Sequence, residues 1–168
     1  MGVRRARAED LSHVAAIERS AGERFRGTHM DWAAEAPPTG LDEFRTALAR
    51  GELWIADDDA GTPAGFLLAC PLDDALYIRE MSVRRDDQGR GLGRRLIEAA
   101  TAHARAVTHR GVTLTTDEII EWNRPLYERL GFRVLDEAEL SPGLATKLAD
   151  ERRRMPASAR RCAMRLDL

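Results

Sequence analysis

The chain has 168 residues, 43% of them hydrophobic, which is enough for one domain with a sizeable core but not for two separately cored domains. Its 26 Lys and Arg residues are balanced by 28 Asp and Glu, so no global positive field argues for nucleic-acid binding. No apolar run approaches the roughly 20 residues of a membrane span, and the first residues lack an apolar signal core. We therefore predict a single cytoplasmic domain over residues 1–168, with neither a nucleic-acid nor a membrane partner.

Strand and helix patterns alternate along the chain. Apolar runs predict strands at 3–7, 53–56, 64–70, 76–83, 112–116, 131–135 and 162–166, and helical spacing predicts helices that begin near residues 9, 41, 92, 126 and 141. Thr39-Gly40-Leu41-Asp42 resembles a capping box for the second helix, and residues 19–38 are predicted to be irregular. The order β-α-α-β-β-β-α-β-α-β-α-β predicts a mixed sheet covered by helices, an α/β (mixed α+β) fold.

A Gly-rich turn separates the fourth predicted strand from the third helix. A turn of this kind presents backbone N–H groups to an anionic phosphate, and its glycines remove the Cβ atoms that would block the approach. A Walker A loop needs Lys-Ser/Thr after Gly93, and a dinucleotide fingerprint needs glycine where Arg94 stands, so both motifs are excluded. Another phosphate ligand and a solvated basic turn are the interpretations that remain.

Two motifs in this order resemble the GCN5-related N-acetyltransferase (GNAT) superfamily. The first is Gln88-x-x-Gly91-x-Gly93, and the second is the Trp-Asn-Arg-Pro-Leu-Tyr-Glu-Arg-Leu-Gly-Phe segment at 122–132. The resemblance implies a GNAT-type fold, with a mostly antiparallel twisted sheet of about six or seven strands and helices on both faces. It also implies acetyl-CoA as cosubstrate, with the diphosphate on the turn and the pantetheine paired with the preceding strand. The implied cofactor-binding residues are Met81, Ser82, Val83, Gln88, Gly89, Arg90, Gly91, Leu92, Gly93, Arg94 and Asn123.

Acetyl transfer from a thioester to an amine needs a base for the amine and gains from an acid for the departing thiolate. By the resemblance Tyr127 is the acid, and the alternative is a packed tyrosine whose hydroxyl merely finds a partner. Glu80 is the candidate base, acting directly or through water. Its alternative is a structural carboxylate paired with an arginine such as Arg79 or Arg133. Asn123 contacts the CoA arm by the resemblance, or caps the following helix.

The acceptor is expected to be the primary amine of a small molecule. In the resembled family the segment corresponding to residues 19–38 often walls the acceptor site, and Glu118 and Glu121 could bind a cationic amine. The four histidines have no metal-ligand spacing, so no metal is predicted, and Cys70 and Cys162 are predicted to be buried free thiols. A non-catalytic CoA-binding module for sensing or assembly is the alternative function. Both a monomer and a homodimer are compatible with the resemblance.

Overall fold

A computed structural model describes residues 2–168, and its elements follow the predicted order. The strands are β1 (Gly2–Arg5), β2 (Leu53–Asp57), β3 (Pro63–Leu72), β4 (Ala75–Val83), β5 (Gly111–Asp117), β6 (Arg133–Val134) and β7 (Arg161–Asp167). The α-helices are α1 (Leu11–Gly22), α2 (Leu41–Arg50), α3 (Leu92–Ala106), α4 (Arg124–Arg129) and α5 (Pro142–Arg154). Two short 3-10 turns, Glu23–Phe25 and Asp31–Ala34, lie within the segment that was predicted to be irregular.

The strands form a seven-stranded mixed sheet in the order β1-β2-β3-β4-β5-β7-β6. β2 pairs antiparallel with both β1 and β3, and β7 pairs antiparallel with both β5 and β6. β4 and β5 run parallel, with Tyr77 opposite Thr113. The predicted fold class is therefore confirmed.

The chain divides into two compact units, each with its own hydrophobic core. The N-terminal unit comprises the residues up to Ala69 together with Glu80–Ala102, and Phe44 packs edge-on against Phe66 in its core. The C-terminal unit comprises Cys70–Arg79 and His103–Leu168. The buried residues of its core are Tyr77, Leu135, Leu144, Leu148 and Ala163. Chain length did not predict these two separate cores, and that the two units act as a single domain over residues 1–168 stays a prediction.

Helix α2 begins at the predicted residue, but the predicted capping box does not form. Gly40 occupies the N-cap position, and Thr39 turns towards α1. The Thr39 N–H and hydroxyl donate to the Glu18 carboxylate at 3.0–3.1 Å. Thr39 thus lies one residue before the N-cap, and both of its donors are taken up by the Glu18 carboxylate. The contact fastens the end of the irregular segment to α1.

A buried carboxylate ties the first strand to its neighbours. Asp10 is 2% exposed and accepts hydrogen bonds from the Arg4 guanidinium at 2.8 and 2.9 Å and from the Arg7 N–H at 2.7 Å. Arg4 also donates to Asp57 on β2 at 2.8 and 3.1 Å. The hydrogen bonds from Arg4 hold the pKa of Asp10 below its usual value. This ionic cluster therefore stabilises the N-terminal unit only while Asp10 is charged.

The Asp10→Asn variant is expected to unfold more easily near neutral pH, by about 2–3 kcal/mol, because Arg4 loses a charged partner. Asp10 has a lower pKa in the folded than in the unfolded state, so its contribution is complete above the unfolded pKa of about 4 and is lost as pH falls through the folded pKa. Urea unfolding between about pH 3 and pH 7 measures this. The two stability curves should converge in acid, and a gap of constant size would contradict the assignment.

A second polar cluster lies beneath α5 in the C-terminal unit. The Tyr77 hydroxyl shares a 3.0 Å hydrogen bond with the Thr115 hydroxyl, and Thr115 Oγ1 lies 2.8 Å from the Glu151 carboxylate. Glu151 also accepts from Arg161 Nε at 3.0 Å. Burial raises the pKa of Tyr77 to about 12. The phenol is therefore protonated at physiological pH, and the cluster fastens α5 to β4, β5 and β7.

Candidate active site

The Gly-rich turn has the open backbone that phosphate binding requires. Gly89 and Gly91 have φ values of +75° and +82°, and a Cβ added to either would meet nothing within 4 Å. Glycine takes these angles without the strain that other residues incur. The Arg95 N–H donates to the Gly91 carbonyl at 3.1 Å, so α3 begins directly after Gly91. The N–H groups of residues 92–94 precede this first intrahelical bond and are available to an anion.

Leu92 and Gly93 fix the start of α3 against the N-terminal unit. Leu92 is 1% exposed and anchors the first helical turn in the core. A Cβ on Gly93 would lie 3.6 Å from the Met81 Cε, so the small residue lets Met81 at the end of β4 lie close to the helix. Gly93 therefore has a packing role that differs from that of the two open glycines.

A buried aspartate holds the shape of the turn. Asp87, 5% exposed, accepts hydrogen bonds from Arg84 at 2.8 Å and from Arg90 at 2.9 Å. Each arginine also reaches the hairpin between β2 and β3, where Arg84 donates to Asp58 at 2.9 Å and Arg90 donates to Asp59. Because both sides of the turn are tied to a buried carboxylate, its backbone is held in place before any ligand arrives.

Arg90 and Arg94, two of the cofactor-binding residues that the resemblance implies, both take part in ion pairs. Arg90 pairs with Asp87 and Asp59, and Arg94 pairs with Glu98 one helical turn further on at 2.7 Å. Exposed pairs of the Arg94 type contribute little stability and exchange readily. Direct contact of either arginine with a phosphate stays a prediction.

Gln88 joins the turn to the strand before it and to the segment after α1. Its amide group donates to the Val83 carbonyl at 2.9 Å, and its amide oxygen accepts from Arg24 at 3.1 Å. Arg85 donates to the backbone carbonyl of Glu23 at 2.8 Å. The segment that was predicted to wall the acceptor site is therefore bonded directly to the predicted phosphate turn.

Glu80 and Ser82 lie together near the end of β4, two residues apart on the same strand. The Ser82 hydroxyl, which is buried, donates to the half-buried Glu80 carboxylate at 3.1 Å. Arg133, one of the two arginines named as possible structural partners, pairs with Glu139 at 2.7 Å. A role for Glu80 as base stays a prediction.

Tyr127 lies half-buried on the short helix α4 in the C-terminal unit. Its ring packs edge-on against Phe132, with the ring centroids 5.9 Å apart. Gly131 has φ +92°, which turns the chain back so that the Phe132 N–H donates to the Tyr127 carbonyl at 3.0 Å. The Gly-Phe pair four residues after the tyrosine therefore fixes the position of its ring.

Asn123 takes the N-cap position of α4, but among the residues described its side chain makes no capping hydrogen bond. Its backbone carbonyl accepts from the N–H groups of Leu126 and Tyr127 at 3.0 and 3.3 Å. Pro125 occupies the first turn, where its missing N–H costs nothing. Backbone geometry and Pro125 begin this helix, and contact of the Asn123 side chain with a CoA arm stays a prediction.

The acidic side chains of the irregular segment bond within that segment. Arg26 pairs with Glu35 at 3.0 Å and with Glu23 at 3.3 Å, which raises the pKa of Arg26. Asp31 accepts from the Gly27 N–H at 2.6 Å. These carboxylates therefore contribute to the shape of the segment. Their arrangement does not support a role in binding a cationic acceptor.

Asp117, at the end of β5, was missed by the sequence reasoning. It is fully buried and accepts hydrogen bonds from the N–H groups of Ile119, Ile120 and Arg160, each at 2.9 Å. It thereby shapes the loop that carries the exposed Glu118. An acidic residue directly after an apolar strand was the available signal.

Both cysteines are free thiols, as predicted. Cys162 is buried and its pKa is raised, mainly by burial, whereas Cys70 is only half-buried. Within residues 2–168, no group of three or more His, Cys, Asp or Glu side chains is arranged to hold a metal ion. Over the same residues, no helix has the length and apolar character needed to cross a bilayer.

Comparison with known proteins identifies the family. The pattern of the acetyltransferase (GNAT) domain matches residues 49–134, a range that includes the Gly-rich turn and Tyr127. The peptidyl-lysine N-acetyltransferase YjaB of Salmonella typhimurium is 30% identical over 142 residues, which cover 83% of this chain and 88% of that protein. The chain therefore belongs to the GNAT acetyltransferase family.

Solved structures confirm the fold. Rv2747 from Mycobacterium tuberculosis, in complex with CoA, superposes with a TM-score of 0.74 at 19% identity, covering 100% of this chain and 99% of that one. N-acetylglutamate synthase from Neisseria gonorrhoeae, complexed with coenzyme A and N-acetyl-glutamate, superposes with a TM-score of 0.72 at 20% identity. The match covers 99% of this chain and 35% of the synthase chain. At these identities the likeness is one of fold alone.

Proposed function

We propose that the protein transfers an acetyl group from acetyl-CoA to a primary amine by direct attack in a ternary complex. The observation that carries the proposal is the Gly-rich turn, in which Gly89 and Gly91 leave the backbone open at the start of α3. The fold neighbours Rv2747 and N-acetylglutamate synthase were both solved with CoA, which supports CoA as the donor's carrier. The diphosphate binds the N–H groups of the turn, and the pantetheine pairs with the backbone of residues 81–83.

The reaction needs two proton transfers, and the chain offers one residue for each. The neutral amine attacks the thioester carbonyl carbon, a C–N bond forms, and the C–S bond breaks. Glu80 takes the proton that the amine loses, directly or through water, and Tyr127 gives a proton to the departing thiolate. Backbone N–H groups of residues 81–83 stabilise the oxyanion.

The lysine side chain of a protein is the acceptor that the comparisons favour. The Salmonella relative carries the name peptidyl-lysine N-acetyltransferase, which supports this class over the small-molecule amine expected from the sequence. A small-molecule acceptor is the second candidate, because the Neisseria neighbour was solved with N-acetyl-glutamate. Both kinds of acceptor have a primary amine that can attack the thioester in the same way.

Mass spectrometry of an acceptor panel tests the proposal. The protein is incubated with acetyl-CoA and, separately, a lysine peptide, the same peptide with arginine in place of lysine, a polyamine and free amino acids. We expect an acetyl group on the lysine peptide and none on the arginine control. Acetyl-CoA binding without acetylation of any amine would establish the CoA-binding module instead.

If Glu80 is the base, Glu80→Gln should lower the rate most at the pH values where the wild-type carboxylate is ionised. The two rates should converge in acid, where protonation removes the base from the wild type as well. Initial rates of both proteins across the pH range measure this, and a ratio of the two rates that does not change with pH would contradict the role of Glu80 as base.

Arg24→Ala is expected to raise the Kd for acetyl-CoA about 2- to 10-fold, because Gln88 loses the hydrogen bond that helps to hold it against Val83. Isothermal titration with Arg24→Ala, Gln88→Ala and the double variant measures this. The double variant should bind no more weakly than Gln88→Ala alone, since both changes break the same contact. Losses that simply add would show that Arg24 acts by another route.

A further inference from the structure

The basic residues of this chain are almost all arginine. Of 26 Lys and Arg residues in the sequence, 25 are arginine and one, Lys147, is lysine. An arginine guanidinium stays protonated at every physiological pH and offers no neutral amine to a thioester. Lys147 therefore carries the one side-chain amine through which an acetyl donor can modify the protein.

The ion pairs that shape the fold are consequently built on groups that acetyl donors do not modify. Asp10 is paired with Arg4, Asp87 with Arg84, and Glu151 with Arg161. Acetylation of a lysine in any of these places would remove its charge and leave the carboxylate without it. Arginine keeps the charge in the presence of acetyl-CoA.

Lys147 itself lies on the inward face of α5. Its neighbours on that face, Leu144 and Leu148, are buried, and Lys147 is half-buried. The Lys147 Nζ lies 5.3 Å from the centroid of the Tyr77 ring. Hydrogen bonding of Tyr77 to Thr115 fixes that ring in place. A cation over an aromatic face is attracted to the ring electrostatically, so Nζ must leave this position to reach a thioester.

We propose that Lys147 is the protein's single site of lysine acetylation and that its position over the Tyr77 ring slows this acetylation. If the protein has the proposed function, the same position limits its acetylation of itself. The modification itself joins Lys147 Nζ to the acetyl carbonyl carbon and breaks the thioester C–S bond. The amine loses a proton and the CoA thiolate gains one. The product has lost the charge that faces the Tyr77 ring.

A matched pair of lysines on one helix tests the shielding. Arg153→Lys places a second lysine on α5, where the arginine side chain is 74% exposed. The folded variant is incubated with acetyl-CoA or with acetic anhydride, and peptide mapping separates Lys147 from the introduced lysine and from the N-terminal amine. We expect Lys147 to react about tenfold more slowly than the introduced lysine, and at an equal rate after unfolding in urea.

The Lys147→Arg variant completes the test. It should show no amide-linked acetyl group on any side chain under either donor while retaining activity on a lysine peptide. Equal rates at both lysines of the folded Arg153→Lys variant would overturn the shielding. An amide-linked acetyl group on any side chain of Lys147→Arg would overturn the single site. The anhydride needs no catalysis, so its outcome is independent of the proposed function. Failure of that function would appear separately as an unmodified lysine peptide.

Discussion

Tyr127→Phe is expected to lower kcat by about 10²- to 10⁴-fold, the range over which a positioned general acid contributes. The substitution removes only the hydroxyl, and the edge-on contact of the ring with Phe132 is kept. Binding of acetyl-CoA should therefore stay within about threefold of wild type, because the Gly-rich turn, where we propose that the diphosphate binds, is unchanged. Initial rates with a lysine peptide and titration with acetyl-CoA measure the two effects separately.

Tyr77→Phe is the matched control, because the sequence contains only these two tyrosines. It removes a hydroxyl from the cluster under α5, so stability should fall by about 1–2 kcal/mol while kcat is unchanged. A Tyr127→Phe variant with wild-type kcat would show that Tyr127 is a packing residue. An equal fall of kcat in both variants would indicate a general loss of structure.

Gly91→Val is expected to weaken acetyl-CoA binding about a hundredfold. A β-branched residue at φ +82° is strained, and its side chain would project into the space that the open backbone leaves for a phosphate. Isothermal titration at a temperature where the variant is fully folded gives the Kd. The Gly91→Val variant thus tests the binding of acetyl-CoA by the turn without changing any charge.

Gly51→Val is the control for backbone strain. Gly51 ends α2 with φ +70° and, like Gly91, has nothing within 4 Å of an added Cβ. We expect a similar loss of stability from the two substitutions and normal binding of acetyl-CoA by Gly51→Val. Comparable losses of affinity in the two variants would mean that strain, and not the turn, explains the Gly91 effect.

Hydrophobic periodicity was sufficient to predict the elements, because strands and helices bury one face at fixed spacing. Strand order depends on pairs far apart in the sequence, such as Val112 with Leu166, and periodicity contains no information on them. The same limit explains the capping of α2. The sequence around Thr39 is suitable for a helix cap, yet in the folded chain the Thr39 hydroxyl donates its hydrogen bond to Glu18.

The open backbone of the Gly-rich turn was predictable, because glycine spacing shows where Cβ atoms are missing. The hydrogen-bond and ion-pair partners of the side chains around the turn were not predictable. Arg90 was an implied cofactor-binding residue, and its ion pairs with Asp87 and Asp59 could not be predicted because they depend on how the hairpin and the turn fold. Arg24 was likewise unpredicted, because its bond to Gln88 joins residues that the fold brings together.

The rate of thiol release from acetyl-CoA, measured with and without a lysine peptide, tests acetyl transfer most directly. Release should depend on the peptide, saturate with both substrates, and be matched by acetylated peptide, mole for mole. It should also fall sharply in Tyr127→Phe. Release at the same rate without the peptide, or no release across the whole acceptor panel despite bound acetyl-CoA, would contradict catalysis of acetyl transfer.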